Sequence, residues 1–502
     1  MNSNAPGIVC FYHDIEQDFD SSADPEVCRD VVRRFAELEQ RYGARATYDV
    51  VGKIQTEQPD LLEIIRAAHH EVAFHSHGHH RDWNKDYYAE EVALCRAASA
   101  LPRGYRSPRS QWGRETLEAL WENGFLWSAE NEPRTPEPYF IHKGLVRLPI
   151  LGDDWPAHTG RQSREDWVAE FRAAVDSRVF TAVGMHDCVA AEEPDAWLAT
   201  WEEMLKIASK KGLQMLTFSE AADLFRRGAV ARHYDLTAVR WNAHSQQLYR
   251  SKRFQELIRA EAEALDNPVV ADLASAGGVQ SFGITDICSR IYCVDNSPGM
   301  VDSVEDRAPL EGRLGELTAT GLPDESCDMV FCVNAIEYVY EFEDLAEEIK
   351  RIAKPGATCL VAFPAEGGCP VRPPTCPPDR IQRYFTRDDV ERFGARIGNG
   401  QIFGVQFDAT EPASDTEEAR YRQLDDVQPA DKIPMFWVYV GTHEREAMPD
   451  SGLRLIPLDQ CPFRFHAQRF DVIKNAWRDA KRQVPKPLKQ VAKALLGGQR
   501  RR

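Results

Sequence analysis

The chain has 502 residues, 43% of them hydrophobic and 28% charged, a globular composition on a length that exceeds one hydrophobic core, so two or three domains are expected. Its formal net charge of -18 argues against general nucleic-acid binding, which recruits a surplus of Lys and Arg. No run approaches the roughly 18 apolar residues of a membrane-spanning helix, the first residues lack a basic and then apolar leader, and the 12 Cys include no C-x-x-C pair, which predicts a cytoplasmic protein with small buried thiols.

Residues 8–16 open as an apolar strand and end in His13, Asp14 and Glu16. Asp24 and Pro25 supply an N-cap and a first-turn proline for a helix over 27–42, which Gly43 stops. A strand over 46–51, a helix over 59–69 and a strand over 72–75 complete a β-α-β-α-β unit. Polar residues gather at its strand ends, where parallel α/β sheets and barrels place their chemistry. His75, His77, His79 and His80 fall within six positions at the third strand end. Neutral imidazole is a common transition-metal ligand, so a metal site is read here. His77 and His80 diverge from the other two and are read as supporting or exposed, and Asp18 and Asp20 as loop acids.

The alternation continues with helices over 87–100, 114–123, 164–176 and 195–211 and strands over 105–106, 125–128, 145–149, 180–185 and 213–218, then a short helix to 227. About seven strands with intervening helices predict a (β/α) barrel over residues 1–232. Five groups at successive strand ends, Tyr12-His13-Asp14, His75-Ser76-His77-Gly78-His79, Arg106-Ser107-Pro108-Arg109, Gly152-Asp153-Asp154-Trp155 and Gly184-Met185-His186, together resemble the polysaccharide deacetylase (NodB-homology, carbohydrate esterase 4) family. The resemblance implies Asp14, His75 and His79 as metal ligands, Arg106 orienting the base, Asp154 holding and tuning His186, and Trp155 and Met185 walling an acetyl pocket. Aligned directly, His13 stands where the family has its base; shifted, Asp14 is the base and Glu16 the ligand. Arg109 replaces an aromatic residue, which fits a substrate bearing a negative group.

Such a set has a readable chemistry. A divalent ion, zinc foremost, held by a carboxylate and two imidazoles keeps positions open, polarises an amide carbonyl and lowers the pKa of a bound water to about 7. A carboxylate would take the water's proton and His186 would give one to the departing amine.

The pattern weakens over 228–242, the expected boundary. A helix over 245–266, strands over 269–273, 291–295, 322–333, 358–363 and 433–441 and a helix over 342–353 give a Rossmann-like doubly wound order across 240–445. Residues 240–445 resemble class I S-adenosylmethionine-dependent methyltransferases. Asp272, Gly277 and Gly278 match their glycine-rich turn and Asp295 the acid that accepts the ribose hydroxyls, whereas Ala274 and Ala276 replace two glycines and Thr318 an acid near the adenine. S-adenosylmethionine is thus the second expected cofactor.

From Phe463 onward twelve Lys and Arg face only Asp471 and Asp479. With interleaved apolar residues, 446–502 reads as a basic amphipathic helical tail suited to an anionic membrane face or to the chain's own acidic body. The expected function is de-N-acetylation of a sugar in a glycan or glycan precursor of surface polysaccharide synthesis, fused to a methyltransferase-like domain; the alternative is a methyltransferase with a non-catalytic, sugar-binding barrel.

Overall fold

A computed structural model describes residues 5–17, 23–79, 85–98, 104–132, 135–142, 144–241, 245–304, 308–368, 384–407, 421–424, 433–444, 454–463 and 465. Asp18, Asp20, His80 and most of the basic tail lie outside the described residues. The chain up to Phe463 clusters as one compact unit, and it contains two sheets.

The first sheet comprises β1 (Ile8–Ile15), β2 (Thr47–Val50), β3 (Glu71–Phe74), β4 (Gly104–Tyr105), β5 (Trp127–Asn131), β6 (Tyr139–His142), β7 (Leu145–Ile150), β8 (Gly152–Asp153), β9 (Phe180–His186) and β10 (Gln214–Met215). Its order is β6-β7-β5-β4-β3-β2-β1-β9-β8, with β10 on β1, and all pairs are parallel except β6 on β7. β7 and β8 are one run of chain interrupted at Leu151, whose N–H donates to Ala182 O at 2.7 Å. That run pairs with β5 at its start and with β9 at its end, so it curls the sheet round. The expected barrel of about seven strands takes this form, with β6 at one margin and the two-residue β10 against the N-terminal end of β1.

β1 is buried at every position because both of its faces are covered. Val9, Phe11 and Ile15 pack outward among Val31, Phe35 and Trp201 of the helices Pro25–Arg41 and Pro194–Lys210. Asp24 caps the first of these, its carboxylate accepting Glu26 N–H at 2.9 Å. Tyr12 points inward and lies flat where Gly184 leaves room: a Cβ there would sit 2.0 Å from the Tyr12 ring. Trp127 covers Gly104 in the same way, and Phe218 meets both rings at 5.4 and 5.0 Å. This aromatic floor closes the interior beneath the polar strand ends.

The second sheet comprises β11 (Val269–Leu273), β12 (Arg290–Asp295), β13 (Leu310–Leu314), β14 (Cys327–Val333), β15 (Ala353–Pro364), β16 (Gly400–Phe407), β17 (Tyr421–Leu424) and β18 (Phe436–Thr442). The order β13-β12-β11-β14-β15-β18-β16-β17 is parallel through β15 and antiparallel beyond it. Helices Phe342–Ile352 and Arg387–Ile397 cover one face and Ser245–Ala262 the other, as the doubly wound reading requires. Chain order reverses between β11 and β14, which opens a crevice at their C-terminal ends. The strands β16 and β17 were not foreseen.

The two sheets are joined by one 24-residue helix, Phe218–Trp241, where the sequence suggested a helix ending at Arg227 and then a break. Thr217 and Glu220 form a reciprocal cap, with Glu220 N–H on Thr217 Oγ1 at 3.2 Å and Thr217 N–H on Glu220 Oε2 at 3.0 Å. The helix runs on through Gly228 because both of its halves find partners. Arg227 reaches Asp223 at 2.6 Å, Glu316 at 2.7 Å and Ile456 O at 2.8 Å. Beyond it Asp235 accepts Ser297 Oγ–H at 2.7 Å and Gly299 N–H at 2.9 Å. The chain then returns to the first sheet: Gln460 O accepts from Gln214 at 2.8 Å, and Phe463 packs on Phe225. No described helix is long and apolar enough to cross a membrane.

Candidate metal centre and cofactor crevice

The parallel register sets Asp14 of β1 beside Asp49 of β2 and His186 of β9, and Glu16 follows two residues later on the same inward side. His75 and His79 leave the end of β3. His75 Nε2 lies 3.0 Å and His79 Nε2 3.1 Å from Glu16 Oε1, and the two rings stack with centroids 5.2 Å apart. His75 Nδ1 is 3.6 Å from Asp14 Oδ1. All four side chains are buried. One donor atom each from Glu16, His75 and His79 lies within 4.8 Å of the others, and so does one each from Asp14, Glu16 and His186.

Arg106, at the end of β4, grips Asp14. Its Nε is 2.8 Å from both carboxylate oxygens and Nη2 is 2.8 Å from Oδ2, while Nη1 donates to Ser110 Oγ at 3.0 Å. Burial alone would raise the Asp14 pKa, but Arg106, His75 and His186 outweigh it and hold the carboxyl below its ordinary value. Glu16 behaves likewise: burial opposes its charge, and hydrogen bonds from His75 and His79 carry it well below the usual range. Across the site His186 Nδ1 meets Asp154 Oδ1 at 2.5 Å, and Asp154 Oδ2 accepts His186 N–H at 2.9 Å. Burial would lower the His186 pKa; Asp154, Glu16 and Asp14 lift it well above normal, so the ring is held as a cation. His186 Nε2 then faces Asp14 Oδ2 at 3.5 Å. The exposed Trp155 ring lies 5.9 Å from it.

Two predicted residues do not join this group. His13 occupies the outward face of β1, where strand alternation must send it if Asp14 points inward. Its Nε2 meets Glu39 Oε1 at 2.7 Å, and it stacks on Tyr48, within a core network in which Glu39 also accepts from Trp201 and Tyr48. Met185 pairs with His13 in register and is buried in the same helix-side core, so it walls no pocket. His77 packs against Gly52, and Arg109 is exposed. Asp49 was missed. It is fully buried beside Asp14 with neither oxygen hydrogen-bonded, and burial, with Asp14 adding to it, raises its pKa well above normal. Its place in an apolar strand run was the available signal.

The residues present fit a divalent ion. Two imidazole nitrogens and a carboxylate oxygen converge in a buried space, the donor set of catalytic zinc sites that keep positions open.

In the second sheet, the turn after β11 carries Ala274 at φ 55°, Ala276 at φ 49° and Gly278 at φ 76°. The left-handed path of a glycine-rich turn is therefore kept, though two alanines must bear it. Asp295, at the end of β12, accepts Ala276 N–H and Ser297 N–H on separate oxygens, each at 2.9 Å. Asp272 is buried behind the turn and bonds Ser281 Oγ at 2.7 Å; Gly277 and Gly278 are buried beside it. Arg226, Asn296, Thr318, Tyr338 and Tyr340 line a cleft at this edge.

A methyltransferase-domain family model matches residues 271–361. A protein of Mycolicibacterium smegmatis (strain ATCC 700084 / mc(2)155), described as a probable S-adenosylmethionine-dependent methyltransferase, is 31% identical over 97 residues, which are 18% of this chain and 38% of that protein. The chain therefore matches little more than a third of that relative's length. Among solved structures, one described as a polysaccharide deacetylase from Mycobacterium smegmatis aligns with 44% of this chain and 90% of its own, at 19% identity and a TM-score of 0.38. A family 4 carbohydrate esterase from Streptomyces lividans aligns with 42% of this chain and 92% of its own, at 16% identity and a TM-score of 0.31. The chain thus holds a methyltransferase-domain match in its second sheet, and it is similar to carbohydrate esterase structures over less than half its length.

Proposed function

We propose that the first sheet is a divalent-metal-dependent de-N-acetylase acting on an N-acetylated sugar in a glycan or glycan precursor. One observation carries this reading. A carboxylate and two imidazoles, Glu16, His75 and His79, converge beside an arginine-gripped carboxylate, Asp14, and a carboxylate-held imidazole, His186. Glu16, His75 and His79 would hold the ion, with Asp14 as base, so the shifted alignment is the one adopted. The ion, when bound, supplies Lewis-acid polarisation of the amide carbonyl and a water of lowered pKa.

The rest is the work of the chain. Asp14, kept charged by Arg106, accepts the proton of the attacking water. His186, kept protonated by Asp154, donates from Nε2 to the departing amine nitrogen. Water oxygen bonds to the carbonyl carbon, the C–N bond breaks, and acetate and a free amino sugar leave. Trp155 offers an aromatic face at the mouth for a sugar ring. We further propose that the second sheet binds S-adenosylmethionine through Asp295 and the 274–278 turn; the family-model match supports this. Acetate release from N-acetyl sugar nucleotides and chito-oligosaccharides tests the first proposal: activity lost in a chelator and regained with zinc supports it, and metal-independent release contradicts it. Calorimetry with S-adenosylmethionine tests the second, with binding expected for wild type and lost in Asp295→Ala.

A further inference from the structure

We infer that two buried carboxylates outside the ion-holding set, Asp187 and Glu91, are positioning residues that fix the backbone on which Glu16, His75 and His79 are mounted. The inference rests on the metal-centre reading. Both segments bearing those side chains lie beyond regular strand, and both turn through left-handed non-glycine residues: Gln17 at φ 53°, Ser76 at φ 58° and His79 at φ 45°. Such conformations persist only where surrounding bonds hold them.

The holding groups are carboxylates from other elements. Asp187, in the first turn of the helix Asp187–Glu192, accepts Glu16 N–H at 3.0 Å and Gln17 N–H at 3.2 Å on Oδ1, and the same oxygen accepts Cys188 N–H at 2.9 Å. Glu91, in the helix Lys85–Ala98, accepts His77 N–H at 2.8 Å and Gly78 N–H at 2.6 Å on Oε2. Their exposures are 1% and 3%, so water cannot replace them. Ser76 Oγ accepts His79 N–H at 3.0 Å and Ser76 O accepts Gly52 N–H at 2.9 Å, so the 75–79 segment is pinned at each residue between the two histidines. Asp187 directly follows His186, so one dipeptide carries the proposed proton donor and also fixes the segment that carries Glu16. Neither carboxylate is among the grouped donors. Each acts through the N–H groups of the segment it holds.

A carboxylate that only stabilised the fold would change the melting temperature and leave ion affinity alone, and calorimetry separates the two. Zinc ion is titrated into metal-stripped full-length wild type, Asp187→Ala and Glu91→Ala, with the metal-free melting temperature recorded beside each. Loss of the acceptor oxygen leaves the backbone N–H groups of the segment unheld and is expected to weaken zinc binding about tenfold or more, with acetate release recovering as zinc is raised. Zinc affinity within twofold of wild type in both folded variants overturns the inference. If Asp187→Ala does not fold, Glu91→Ala decides alone, with Glu91→Gln, which keeps one acceptor oxygen, as the variant expected to restore part of the affinity. A wild type that binds no zinc instead overturns the metal-centre reading itself, a different result from equal binding by all three.

Discussion

Asp14 and Glu16 sit two residues apart on one strand end, and their neighbours differ in a way that supports the separate roles proposed for them. Arg106 surrounds Asp14 and two histidine Nε2 atoms surround Glu16. Glu16→Gln is therefore expected to lose bound zinc and acetate release together, whereas Asp14→Asn keeps zinc and loses turnover by about 10²–10⁴-fold; elemental analysis with single-substrate kinetics checks both. His186 gives a pH prediction. Asp154 raises its pKa, so the donor stays protonated to higher pH, and activity declines only as pH rises through that elevated value. Asp154→Asn removes the charge, so the alkaline limb of the pH–rate profile is expected to shift to lower pH as the maximum falls. The residue types of this centre were legible because five groups recur at strand ends in order. The choice between Asp14 and Glu16 was not, because it depends on where His79 turns back through a left-handed step. His13 was misplaced for want of one bit of information, the facing of β1, which Glu39 on a helix decides.

Among the elements, β1 and β9 form the axis of the site, and Gly184 of β9 leaves the room that the Tyr12 ring of β1 fills. Gly184→Ala drives a methyl into the Tyr12 ring and is expected to cost about 1–3 kcal/mol by overpacking, read as a lower urea midpoint at unchanged m-value. In β11, burial pushes Asp272 up to about 8 from 3.8, against the Ser281 hydrogen bond and with Asp295 adding to it. A raised folded-state value means that its stabilising contribution is complete below the unfolded pKa and is lost as pH climbs through the folded one. Wild type is thus expected to lose melting temperature relative to Asp272→Asn between about pH 4 and pH 8. Strand and helix order was largely readable from periodicity and caps. The long helix Phe218–Trp241 was not, because Gly228 reads as a stop until the partners Glu316 and Ser297, far along the chain, are known.

Across the whole molecule, that helix makes the two sheets one compact unit to Phe463. Arg227 joins Asp223, Glu316 and the returning segment of chain at Ile456, and its removal leaves Glu316 without its ion pair and Asp223 with Arg226 alone, a loss of about 3–5 kcal/mol. Arg227→Ala is expected to turn a single calorimetric unfolding transition into two. The metal centre is tested by metal content, measured by mass spectrometry on purified wild type, His75→Ala, His79→Ala and Glu16→Gln, with acetate release measured on the same samples. Wild type is expected to hold about one divalent ion per chain tightly, and all three variants are expected to lose it together with acetate release. A wild type that releases acetate without bound metal, or variants that keep the ion, would contradict the metal-centre reading.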